Sequence, residues 1–161
     1  MIKGWIVGKE ELLARLSAMP GKVDRSLYRT IFGLANELAG YISEHFLSGQ
    51  SVSRRPGTGT GSRSTRSAGV EQTAESITAT VVTGGPEAPY MAWLNNGVPP
   101  YDIVPKNKKA LAFNWQGQNI VVKRVHHPGQ KARHFMEDGL AEFAPTIRQR
   151  IEDAVRDAIN S

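Results

Sequence analysis

The run Val-Lys-Arg-Val-His-His-Pro-Gly-Gln-Lys-Ala-Arg-His-Phe-Met, residues 122–136, decides the reading of this chain. It joins a β-like segment to an amphipathic helix through a basic turn marked by glycine. Pro128 fixes φ and lacks an N–H, and Gly129 tolerates positive φ, so the entering strand must end there. Phe135 and Met136 open a helical pattern. Upstream, Ile103, Pro105 and Lys106 precede the run Lys-Ala-Leu-Ala-Phe-Asn-Trp at residues 109–115. The connection Gln-Gly-Gln-Asn, residues 116–119, separates that run from Ile-Val-Val-Lys-Arg-Val at residues 120–125, which opens on three apolar residues. Two apolar runs around a short glycine-containing connection predict a β-hairpin.

Helical periodicity brackets this segment. Val23, Leu27, Ile31, Leu34, Leu38, Ile42 and Phe46 recur every three or four residues, which puts them on one face of a helix over residues 22–47. Residues 10–19 form a shorter helical candidate that Pro20 and Gly21 should end. Met136, Leu140, Phe143, Ile147, Ile151, Val155 and Ile159 mark a closing helix over residues 135–159. Pro145 predicts a kink in that helix or a junction of two. Residues 75–83 alternate Ile77, Ala79 and Val81 with threonines and read as a strand that Gly84, Gly85 and Pro86 break. Residues 90–96 read as a short helix or turn with Tyr90, Trp93 and Leu94 facing inward.

Residues 49–70 differ in composition: glycine, serine and arginine dominate, with Arg54, Arg55, Arg63 and Arg66 and no acid. Such a segment has too little apolar surface to offset its ordering entropy, so a long flexible basic loop is expected. Within its 161 residues the chain fits one domain, 1–161. It contains no cysteine, which excludes disulfides and thiolate chemistry. No apolar run approaches the roughly 20 residues needed to span a bilayer, so no membrane partner is expected. The net charge of +5 is unevenly spread. Lys106, Lys108, Lys109, Lys123, Arg124, Lys131 and Arg133 face only Asp102 in residues 102–135, whereas the last helix carries Glu137, Asp138, Glu142, Glu152, Asp153 and Asp157. A basic middle and an acidic end suit contact with nucleic acid or head-to-tail pairing of like subunits.

Candidate chemistry is sparse. The glycine-rich residues 57–62 lack the lysine and the preceding strand of a phosphate loop, and lead into Arg-Ser-Thr-Arg rather than a helix. His126, His127 and His134, with Glu137 or Asp138, have metal-ligand chemistry, yet adjacent histidines on a strand point to opposite faces. The simpler expectation is that one histidine ends the strand and bonds the turn while the other is solvated. Asp102 and Glu87 form no carboxylate pair, and no nucleophile, base and oxyanion donor assemble, so neither an enzyme nor a cofactor is expected. Trp93, Tyr101, Phe113 and Trp115 lie near basic residues and have the chemistry to stack bases. Such side chains more often line a core or a subunit interface.

The ordered pattern I-x-P-x-x-K-x-L-x-F, glycine turn, V-x-H-P-G-x-x-A-R-x-F-M and closing helix resembles the tail-component and head-tail joining proteins of long-tailed bacteriophages. The opening pattern of Leu13, Leu16, Pro20, Lys22 and Val23 and the segment from Tyr90 to Gly97 extend the resemblance over most of the chain. Asn95 or Asn96 stands where that family carries an acid, Val98 where it has threonine, and His134 where proline is common. The expected fold is α+β, a small twisted antiparallel β-sheet packed against the long helix and the C-terminal helix.

The resemblance implies a virion structural protein of the phage neck, made in the host cytoplasm. It would complete the tail and join it to the head connector as a homo-oligomeric ring, sixfold by analogy. Its neighbours would be the connector or stopper protein and the tail terminator or tail tube protein. Ile103, Pro105, Lys109, His127, Pro128, Gly129, Arg133 and Phe135 would form the joining surface. Arg54, Arg55, Arg63 and Arg66 would make weak, sequence-independent contacts with DNA or a partner. The alternatives are a tail terminator and a small basic DNA-binding protein.

Overall fold

The computed structural model describes residues 9–48 and 59–160. Its first helix, α1 (Lys9–Phe46), is continuous where the sequence predicts two helices parted by Pro20. Nucleation is the costly step in helix formation, so a helix already propagating can lose the hydrogen bond that proline lacks without needing a second nucleus. The last helix, α4 (Phe135–Asn160), likewise runs through Pro145 as one element. The two helices pack antiparallel. Ser26 Oγ donates to Ala154 O at 3.1 Å, Arg150 pairs with Glu37 at 3.1 Å, and Tyr41 OH donates to Glu142 at 2.8 Å. These links advance along α1 as they retreat along α4.

Small residues set how closely the helices approach. Ala35 and Ala39 are buried on α1, and a Cβ added at Gly139 on α4 would lie 2.6 Å from Ile42 Cγ1. The core joins Leu38 and Ile42 of α1 to Ala88, Met91 and Phe135, with Phe46, Leu47, Val81, Leu94, Met136 and Phe143 packed around them. Full burial of each large side chain contributes about 1.5–3 kcal/mol.

Between the long helices lie α2 (Thr60–Arg63), β1 (Arg66–Gln72), β2 (Ile77–Val82), α3 (Met91–Asn96), β3 (Tyr101–Ile103), β4 (Leu111–Trp115), β5 (Gln118–Val122) and β6 (Val125–His127). The fold is therefore α+β, with the expected long helix in the N-terminal half and the expected C-terminal helix. The strands form three separate two-stranded antiparallel ribbons, β1–β2, β3–β6 and β4–β5, in place of one sheet.

Residues 49–58 of the expected basic loop, including Arg54 and Arg55, lie outside the described residues. From Gly59 onward the loop expectation is corrected. Gly59 takes φ 70, α2 makes one turn, and β1 pairs with β2 from Arg66↔Val82 to Gln72↔Ile77. The ribbon lies against α1. Pairing supplies the backbone hydrogen-bond partners that a single strand cannot supply to itself.

The β4–β5 hairpin appears where the sequence places it, with a tighter turn. Gln118 pairs with Trp115 and Asn119 with Asn114, so only Gln116 and Gly117 remain in the connection, at φ 51 and φ 85. Positive φ at both central positions matches the right-handed twist of the flanking strands. Val125, assigned to this hairpin by its apolar character, instead begins β6 and pairs with Ile103. In α3 the inward residues are Met91 and Asn95, with Leu94 half-buried. Tyr90 and Trp93 are 43% and 62% exposed, contrary to the inward orientation expected of aromatics. The positions at i and i+4 form the stripe that meets the core, and Met91 and Asn95 occupy it.

Candidate joining surface

Two segments distant in sequence are joined at a corner where α3 ends and α4 begins. Val98 N–H donates to Gln130 O and Gln130 N–H donates to Val98 O, both at 2.8 Å. Glycine permits the approach on both sides. Gly97 has φ +75, and its added Cβ would lie 2.7 Å from Ala132 N; Gly129 has φ +79, and its added Cβ would lie 2.8 Å from Pro100 N and closer still to Val98 O. The sequence expectation of positive φ at Gly129 is therefore met, with a steric reason for it.

Asn95 organises the start of α4. Its backbone carbonyl accepts from Arg133 N–H at 3.1 Å and His134 N–H at 3.0 Å. Its side-chain Oδ1 accepts from Met136 N–H at 3.1 Å, and its Nδ2 donates to the Glu137 carboxylate at 3.0 and 3.2 Å. The first N–H groups of a helix have no intrahelical partner. Asn95 therefore provides from α3 what a local N-cap side chain provides elsewhere. Glu137 is held below the usual carboxylate range, first by its own backbone N–H, then by the Asn95 amide, with burial opposing and the charge of His134 assisting. His134, the residue just before α4, sits at φ 50, a region that proline cannot enter.

The β3–β6 ribbon continues the corner with two distinct faces. On one, the Tyr101 ring stacks on His127 with centroids 4.9 Å apart, and Gly129 N–H donates to His127 Nδ1 at 3.0 Å. On the other, Asp102 accepts from His126 at 2.9 Å and pairs with Arg124 at 3.4 Å. One histidine thus bonds the turn, as expected, while the exposed His126 holds Asp102. Among the described residues, no three metal-ligating side chains come together.

The predicted joining residues divide into two sets. Ile103, Lys109 and Pro128 are exposed, and Pro105 and His127 are half-buried. Gly129 holds the corner. Phe135 is 2% exposed and belongs to the core, so it directs α4 and offers no surface of its own. Arg133 is half-buried and lines a small cavity with Phe46, Leu47, Tyr90, Met91 and Leu94. Arg63 and Arg66 are exposed and share a cleft of about 350 Å³ with Gly84, Gly85 and Glu87. Sequence reading missed the Asn95–Glu137 clasp, because its partners are 42 positions apart and no local pattern links them.

No family model, curated protein or solved structure matches the chain. No helix among the described residues is long and apolar enough to cross a membrane.

Proposed function

We propose that this chain is a structural virion protein of a long-tailed bacteriophage neck, which completes the tail and joins it to the head connector as a ring of identical copies. The supporting observation is the corner. The two motif segments that carry the resemblance, Tyr90 to Gly97 and the His-Pro-Gly run, meet through Asn95, Gly97 and Gly129 in one hydrogen-bonded unit. A rigid corner bearing exposed Ile103, Lys109 and Pro128 suits shape matching between particle modules, in which surface complementarity does the work. Open ribbon edges, a hazard in an isolated subunit, are the kind of surface that an adjacent copy covers.

Particles assembled without the polypeptide test this reading. Filled heads and free tails should accumulate separately, and adding purified protein should join them. Firmly attached, infectious tails in its absence would overturn the assignment. A small DNA-binding protein is the second reading, favoured by the meeting of Arg63 and Arg66 at one cleft. It requires duplex binding by the free chain that weakens steeply with salt.

A further inference from the structure

The β4–β5 hairpin is an arm with an unfinished apolar face. Its register puts Leu111, Phe113 and Trp115 on one side with Val122, Ile120 and Gln118, and puts Val121 on the reverse with Ala112. Trp115 is 61% exposed, and Phe113 is also open. A lone two-stranded ribbon is marginal in water and gains stability when its apolar face is covered. The segment that carries this face is cationic: residues 103–136 contain no acid, and Lys106, Lys108, Lys109 and Lys123 flank the strands, with Arg124 paired to Asp102.

The first turns of α4 carry the opposite charge around an apolar centre. Leu140 is 49% exposed. Ala141 and Ala144 share its side of the helix and are also exposed. Glu137 lies one turn before it, Asp138 follows, and no cation occurs until Arg148. Arm and helix face both lie open within one copy, so neither covers the other there.

We propose that the arm of one copy seats on the first turns of α4 of a second copy, with Phe113 and Trp115 against Leu140 and Ala144 and the flanking lysines facing Glu137 and Asp138. Different patches meet in this contact, so it is head-to-tail, and repetition of one such contact closes a ring when the rotation permits. It gives the proposed ring its subunit joint, and its biological role rests on that reading.

Sedimentation and light scattering of the full chain provide the test. Wild type should associate with concentration, and less so as salt screens the charges. Trp115→Ser and Leu140→Arg should each weaken association about thirtyfold, as expected for a central anchor. Their equimolar mixture should form a dimer and nothing larger, because the intact arm of L140R meets the intact face of W115S and both remaining patches are spoiled. Val121→Ser, on the reverse face, should behave as wild type. A wild-type chain that stays monomeric to about 1 mM, the regime of weak contacts, would overturn the proposal. So would association unaffected by either variant, or variants that fail to pair when mixed. A monomer that instead binds a single-stranded oligonucleotide through Trp115 would replace it with base stacking. Variants that associate like wild type remove this joint but leave the neck assignment standing; tails attached without the protein remove the assignment but leave the joint.

Discussion

Asn95 shows how much one side chain can fix. It is buried, and its amide serves both Met136 N–H and the Glu137 carboxylate. Asn95→Ala should cost about 1–3 kcal/mol at neutral pH, because the half-buried Met136 N–H loses its acceptor and a buried side chain is truncated. The same substitution should alter acid sensitivity. Glu137 has a depressed folded-state pKa, so its contribution is complete above the ordinary glutamate range and is lost as pH falls through the folded value. Without the Asn95 amide, one cause of the depression disappears, and urea midpoints should fall less steeply on the acid side than for wild type. Parallel curves would remove Asn95 as a cause. His134 gives a separate prediction. Its φ of 50 disfavours a β-branched side chain, so His134→Val should lose about 1–2 kcal/mol while His134→Asn keeps wild-type stability, as read by equilibrium denaturation.

Among the elements, two of the glycines at close approaches make different predictions. Gly139→Ala would gain about 1 kcal/mol by helix propensity alone. The 2.6 Å approach to Ile42 reverses the sign, and a net loss of about 1–3 kcal/mol is expected from overpacking. Gly129→Val combines a strained φ with a Cβ driven against Val98 and Pro100. It should lower the thermal midpoint and redirect α4; unchanged melting would show that the corner can yield. At this scale the long helices were legible because Leu34, Leu38, Ile42 and their counterparts on α4 repeat at helical spacing. Pro20 carries a correct local rule that propagation overrides, and at Pro145 the helix stays one element rather than becoming two. Strand β1 was hidden because Ser67, Ala68 and Gly69 have little strand preference, and the pairing with residues 77–82 supplies what they lack. The turn at Gln116 and Gly117 was legible as a hairpin, but its exact register depends on the partners of Gln118 and Asn119.

For the whole molecule, charge is the property the sequence displays most openly. DNA retention measured across salt should give a slope for wild type that flattens in the combined Arg54, Arg55, Arg63, Arg66→Ala variant, by about 0.9 for each phosphate that the variant no longer neutralises. Identical slopes would assign those arginines to a protein partner or to solvent. The site was less legible than the charge: Pro128 and Gly129 announced a corner, but the other half of that corner, Gly97 and Asn95, lies more than thirty positions earlier. The pairing of α1 with α4 has a further consequence during synthesis. The first helix leaves the ribosome with Leu38 and Ile42 only partly covered, because Phe135 follows Ile42 by more than ninety residues. Throughout that interval the nascent polypeptide presents a greasy strip of the sort that holdase chaperones recognise, and a message truncated before the Phe135 codon should yield insoluble product.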